Sequence, residues 1–98
     1  MDLNEAKYIL NENGYTLNEE LSDSEKLVAA QNYIRHFVSE AQRNIHDAEL
    51  LAEYYREGMV IANRINKLTD NDAIIASAEK IKKLKIEIYK LLRDNNDI

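Results

Sequence analysis

Residues 22–68 decide the fold of this chain, and they read SDSEKLVAAQNYIRHFVSEAQRNIHDAELLAEYYREGMVIANRINKL. The stretch contains no proline and a single glycine, Gly58. Apolar residues recur at intervals of seven from Leu27, and two neighbouring rows widen the stripe to the breadth used in helical bundles. Ser22 and Glu25 have the spacing of a capping box, so a helix is predicted to begin at Asp23.

Taken as one element, this helix covers about residues 23–68 and is roughly 69 Å long at 1.5 Å per residue. That length is about twice the diameter expected of a globule of this size. One long helix, kinked or closely crossed at Gly58, is therefore the leading interpretation and requires a partner. The alternative is a break near residues 39–44, which would turn the chain into a compact four-helix bundle.

The flanking segments predict two further helices. A short helix is expected over about residues 3–13, because Gly14 is a natural C-terminal stop. A last helix is expected over about residues 71–93, with Thr69 or Asp70 as its cap. Its isoleucines at 74, 81 and 88 lie on one face, and the short loop before it predicts an antiparallel hairpin with residues 46–68. The sequence thus predicts a single all-α domain over residues 1–98.

The first half of the long helix has no sufficient partner within the chain, since the short first helix covers only part of it. Its apolar residues would form too large a patch to leave in water. We therefore expect a homodimer or a higher symmetric helical-bundle oligomer. The interface residues predicted on this half are Val28, Tyr33, Ile34, Phe37, Val38 and Ile45.

Composition limits the classes of function. The chain has no cysteine, so it has no disulfide and no thiolate site. Its N-terminus lacks the pattern of a leader, and no apolar run approaches the length of a membrane span. We expect a cytoplasmic protein with no membrane partner.

Catalytic and metal-binding motifs are not found in the sequence. Neither His36 nor His46 belongs to a Glu-x-x-His or His-Glu-x-x-His pattern. No glycine-rich phosphate loop or nucleophile elbow is present. The sequence therefore predicts no catalytic residue, no metal, no cofactor and no enzymatic activity.

Charge is distributed unevenly along the chain. Residues 1–26 hold seven acidic and two basic side chains, whereas residues 73–94 hold six basic and three acidic ones. The basic helix allows a nucleic-acid interpretation through Lys80, Lys82, Lys83 and Lys85, although the net charge of −5 disfavours it. An anionic nucleotide held between protomers is a second ligand hypothesis, and its predicted residues are Tyr55, Arg56, Arg64 and Lys67.

The opening segment LNEAKYILNENGY, residues 3–15, resembles the starts of many small bacteriophage-encoded proteins. In addition, Gly58-Met59 followed by Arg64-Ile65 is similar to part of the helical hairpin of phage anti-defence proteins that sequester cyclic nucleotides as oligomers. The resemblance implies a viral or mobile-element accessory protein, which would be found in the host cytoplasm if a phage encodes it.

The function expected from these observations is that of a non-enzymatic helical interaction protein. It would act on a host defence protein or another host protein, or in assembly, through protein–protein contacts. An oligomeric protein that binds or sequesters an anionic nucleotide is the alternative, and nucleic-acid binding through the last helix is the least favoured interpretation.

Overall fold

The structure, a computed structural model, describes residues 1–17 and 19–96, with side chains through Asp94. It contains α1 (Leu3–Glu12), α2 (Asp23–Ala41), α3 (Ala48–Asn63), a one-turn 3-10 helix (Ile65–Lys67) and α4 (Asn71–Asn96). No strand occurs among these described residues, so the all-α prediction is confirmed.

The single helix predicted over residues 23–68 is wrong, because the chain breaks at residues 42–47. The backbone amides of Asn44 and Ile45 both donate to the Ala41 carbonyl at 3.0 Å. The Asp47 carboxylate then accepts a hydrogen bond from the Leu50 amide at 3.0 Å and caps α3. The break overlaps residues 39–44, where the compact alternative placed it.

The physical reason for the break is burial of the apolar stripe within one chain. α2 packs against α3, so each helix covers the apolar face of the other. Ile45 in the connection is itself buried, at 3% exposed. The molecule measures 44 × 27 × 19 Å, well short of a 69 Å rod.

The first connection is fixed by Gly14 and Tyr15. Gly14 has φ +89°, and a Cβ at this position would lie 2.5 Å from the Tyr33 Cβ. Only glycine meets both demands without strain. Tyr15 follows with its ring buried, and its hydroxyl donates to the Gly58 carbonyl at 3.0 Å.

Gly58 lies inside α3 and does not interrupt it. A Cβ there would lie 3.0 Å from the Tyr15 hydroxyl and 3.1 Å from the Ile34 Cδ1. Gly58 therefore marks a close approach between α3, α2 and the first connection. No kink is needed to explain it.

α4 packs against both α1 and α3, and its inner face supplies much of the core. Two ion pairs flank these contacts, Lys82 with Glu5 at 3.4 Å and Lys80 with Glu57 at 3.0 Å. The largest fully buried side chains come from all four α-helices and the first connection, namely Leu10, Tyr15, Ile34, Tyr54, Ile81 and Ile88.

Candidate functional site

The most unusual cluster in the molecule is an aromatic cage around a buried lysine. Lys85 projects from the inner face of α4 and is only 6% exposed. Four rings surround its ammonium, with centroids 3.7 to 5.8 Å from Nζ. The cage consists of Tyr33 and Phe37 from α2, Tyr54 from α3 and Tyr89 from α4.

Hydrogen bonds fix the ammonium within this cage. Lys85 Nζ donates to the Tyr33 hydroxyl at 2.6 Å and to the Tyr89 hydroxyl at 3.4 Å. The nearest ring is that of Phe37, at 3.7 Å, a distance at which a cation–π interaction is strong. The cage thus solvates the charge with hydroxyl oxygens and ring faces, and it contains no carboxylate.

Burial lowers the pKa of Lys85 to about 8. The ring faces favour the charged form and oppose this effect. Burial also raises the pKa of Tyr33, whose hydroxyl accepts from Lys85. Near neutral pH the cage therefore holds a cation whose shorter hydrogen bond goes to a neutral Tyr33 hydroxyl.

Tyr54 differs from its neighbours in the cage because its hydroxyl is buried and has no hydrogen-bond partner. Its ring lies 5.0 Å from that of Phe37, centroid to centroid. Burial raises the pKa of this hydroxyl well above its usual range. The Tyr54 ring thus stabilises the fold by packing, whereas burial of its unpaired hydroxyl lowers the stability of the fold.

A hollow of about 290 Å³ opens beside the cage between α1 and α4. Lys85 lies on its wall together with the Tyr33 and Tyr89 side chains. Ile9, Glu12 and Asn13 of the α1 end form the opposite wall. Solvent can therefore reach the edge of the cage through this hollow, while Lys85 itself stays buried.

The six predicted interface residues do not form one surface. Ile34 and Ile45 are buried in the core of the chain and do not reach its surface. Tyr33 and Phe37 are part of the cage, and Val38 is half-buried. α3 covers the face of α2 that a partner was expected to cover. Val28 alone is largely exposed, at 51%.

Val28 lies in a shallow hollow of about 460 Å³ at the start of α2. We call this region the Val28 surface, and it is lined by Leu21, Ser24, Glu25, Val28 and Ala29. Ser22 and Glu25 form a complete capping box beneath it, with bonds of 3.2 and 3.1 Å. The Val28 surface is therefore an apolar patch on a well-anchored first helical turn.

The predicted ligand residues are only partly brought together. Arg64 and Lys67 line one hollow of about 330 Å³, with Asn63 and Ser77 on its wall, and we call it the Arg64 hollow. Tyr55 lines a separate groove with Val38 and Leu51. Arg56 is exposed and lines neither of them.

The predicted nucleic-acid lysines are dispersed. Lys85 is enclosed in the cage, so its ammonium is not on the exposed surface of α4 with the other three. Lys80 and Lys82 are exposed but paired with Glu57 and Glu5. Only Lys83 is exposed without an ion pair in the described part of the chain. A phosphate-binding stripe along α4 is therefore not assembled.

Comparison with known proteins gives no match. No protein-family model, curated protein or solved structure is similar to this chain. Within residues 1–17 and 19–96, no group of three or more acidic or histidine side chains is placed to hold a metal ion. Across the same residues, no helix has the length and apolarity to cross a membrane.

The aromatic cage was missed by sequence reasoning, although one signal for it was present. Lys85 stands four residues after Ile81 and three before Ile88, which places it on the inner face of α4. A lysine at that position has to be solvated by the interior. The abundance of tyrosine, six residues in the chain, supplies the groups that do so.

Proposed function

We propose that this chain is a non-enzymatic helical interaction protein that binds a partner protein through the Val28 surface. The observation that carries the proposal is the 51% exposure of Val28 within an apolar hollow of about 460 Å³. The hollow lies on a helix whose N-terminus is fixed by a capping box. A rigid, exposed apolar patch is a typical anchor point for a partner side chain.

Charge around the Val28 surface indicates the chemistry of the partner. Glu25 lines it, Glu19, Glu20 and Asp23 are near it in the sequence, and Lys26 is the one basic residue among residues 19–26. We expect the partner's binding surface to present an apolar side chain surrounded by lysine or arginine. Rim charges of this kind steer association, and the apolar contact supplies most of the affinity.

A role as an accessory factor of a phage or mobile element is part of this proposal. It rests on the resemblance of residues 3–15, and the partner would then be a host protein. Binding by surface complementarity needs no reactive group, in keeping with a cage whose lysine is enclosed.

The experiment compares two matched variants on an affinity column charged with bacterial lysate. Val28→Asp places a charge in the centre of the Val28 surface, whereas Val60→Asp makes the same change at another exposed valine on α3. We expect a protein retained by the native chain and by Val60→Asp to be lost with Val28→Asp. The dissociation constant of the purified pair should rise at least about tenfold, or ~1.4 kcal/mol. Equal retention by both variants would disprove the proposal.

Binding of an anionic ligand is a second candidate function. The presence of two cations, Arg64 and Lys67, on the wall of one hollow favours it. Two cations with the polar side chains of Asn63 and Ser77 on the same wall suit a phosphate group. We expect a cyclic nucleotide to raise the melting temperature in a concentration-dependent manner, as mass action requires. The joint Arg64→Ala and Lys67→Ala variant should lose this shift, and Arg56→Ala, outside the hollow, should keep it. No shift with the native chain would remove this candidate.

A further inference from the structure

The solvent-facing side of α4 carries a regular stripe of six exposed residues. Their spacing alternates between four and three, so they lie along one helical face. The outer stripe of α4 consists of Asp72, Ala76, Glu79, Lys83, Ile86 and Lys90. Ile86 is 57% exposed, the second most exposed of the large apolar residues.

Charge is segregated along the outer stripe. Its N-terminal half holds the two acidic residues, Asp72 and Glu79, and its C-terminal half holds the two basic ones, Lys83 and Lys90. None of the four takes part in an ion pair in the described part of the chain, where the ion pairs are Arg43–Glu40, Lys80–Glu57 and Lys82–Glu5. The stripe therefore presents an acidic end and a basic end, both unneutralised.

Such a stripe is complementary to itself when reversed. In an antiparallel pair of α4 helices, opposed residue numbers have a constant sum. With Ala76 opposite the partner's Ile86, Glu79 faces the partner's Lys83 and Asp72 faces the partner's Lys90. Each of these contacts occurs twice by symmetry, as a twofold interface requires. A parallel pair would instead place like charges together.

We infer that the outer stripe of α4 is a self-association surface, at which a second copy of this chain binds antiparallel in this register. A hollow of about 420 Å³ lies on the stripe itself, where Met1 lines it together with Glu79, Lys83 and Ile86, so Met1 adds apolar surface to that of Ile86. A single helix pair is a small interface, so the dimer is weak and depends on concentration. Its ion pairs make it sensitive to salt.

This places self-association on α4, away from residues 24–45 where the sequence predicted it. The outer stripe and the Val28 surface share no residue. The inference is therefore independent of the proposed function, and either can fail alone.

Charge reversal tests the interface and its register together. We expect the native chain to show a rising mean mass by sedimentation as concentration increases. Glu79→Lys places lysine opposite the partner's Lys83 and should weaken dimerisation by about tenfold. The double variant Glu79→Lys with Lys83→Glu restores opposite charges and should recover most of the lost affinity. Glu53→Lys, the same change on exposed α3, should leave dimerisation unaltered.

Three results would overturn the inference. The first is a native chain that stays monomeric at every concentration. The second is a dimer that Glu79→Lys leaves intact. The third is a double variant that remains as weak as Glu79→Lys, because the register would then be wrong. Circular dichroism of each variant confirms that the helices are retained.

Cross-linking gives an independent measure of the register, since the chain has no native cysteine. Chains carrying Ala76→Cys are mixed with chains carrying Ile86→Cys and oxidised mildly. We expect the mixed disulfide to form faster than either homodimeric disulfide. Equal rates for all three products would contradict the antiparallel register.

Discussion

The Lys85 ammonium donates a 2.6 Å hydrogen bond to the Tyr33 hydroxyl, and this bond joins α4 to α2 across 52 positions of the sequence. α4 packs directly on α1 and α3, whereas its backbone makes few close approaches to α2. The gap between α2 and α4 is filled by the lysine and the rings of the cage. The Lys85 side chain therefore fills the space between α2 and α4 and also supplies a hydrogen bond across it.

Substitution of Lys85 should separate its packing from its charge. Lys85→Met keeps the length of the side chain and removes the cost of burying a charge, so we expect a change in the free energy of unfolding within about 1.5 kcal/mol. Lys85→Ala removes the methylenes as well and leaves a cavity, so we expect a loss of about 3 kcal/mol. Urea denaturation measures both, and equal losses would show that charge dominates packing.

Stability should vary with pH in a direction set by the cage. The pKa of Lys85 is about 8 in the folded chain and about 10.4 when unfolded, so between these values the unfolded state binds more protons. The free energy of unfolding should therefore rise from pH ~8 to ~10. The titratable residues around Lys85 are Tyr33, Tyr54 and Tyr89, with Glu12 at the adjoining hollow.

Above pH ~10 the trend should reverse, because burial raises the pKa of Tyr15, Tyr33 and Tyr54. These tyrosines hold their protons in the folded state and lose them on unfolding. Urea midpoints across this range measure the profile. Lys85→Met is the control, and it should abolish the rise while keeping the alkaline fall.

Tyr15 and Tyr54 offer a matched pair of hydroxyl deletions. Tyr15→Phe removes a hydrogen bond to the Gly58 carbonyl and should destabilise the chain by about 1 kcal/mol. Tyr54→Phe removes a buried hydroxyl without a partner and should be neutral or stabilise by up to about 1 kcal/mol. Thermal unfolding of the two variants should therefore shift in different directions, and equal losses would contradict the unpaired state of Tyr54.

Gly14 should be intolerant of substitution for two separable reasons. Gly14→Ala places a Cβ against Tyr33 and forces alanine to positive φ, which costs roughly 1–2 kcal/mol for the backbone alone. Gly14→Asn meets the same contact, but asparagine adopts positive φ more readily. We expect both variants to be destabilised by chemical denaturation, with Asn milder than Ala. Identical losses would assign the effect to the contact with Tyr33.

The sequence predicted the local features of the fold better than the tertiary ones. The capping box at Ser22 and the stop at Gly14 depend on neighbouring residues, and both are present. Of the two caps predicted for the last helix, Thr69 or Asp70, it is the Asp70 carboxylate that accepts from a first-turn amide, that of Asp72. The break at residues 42–47 depends on whether α3 covers α2, which the continuous apolar stripe does not reveal. Asp47, a residue suited to capping, was its local signal.

The candidate sites were harder to predict for the same reason. Val28 was identified from its apolar character, yet Ile34 and Ile45 have the same character and are buried. Lys85 was grouped with Lys83 although they lie on opposite faces of α4. Sequence patterns place residues on helical faces, but only the packing of helices decides which faces meet solvent.

The pairing of α1 with α4 sets an order of events during synthesis. About 58 residues separate the end of α1 at Glu12 from the start of α4 at Asn71, so α1 emerges from the ribosome long before the helix it packs against. At about 5–20 residues per second, that interval lasts roughly 3–12 s. In that interval α2 and α3 can already pair, while Ala6 and Leu10 remain without their cover. Until α4 emerges, α1 and the side of α3 that packs on α4 are therefore both open to chaperones and proteases.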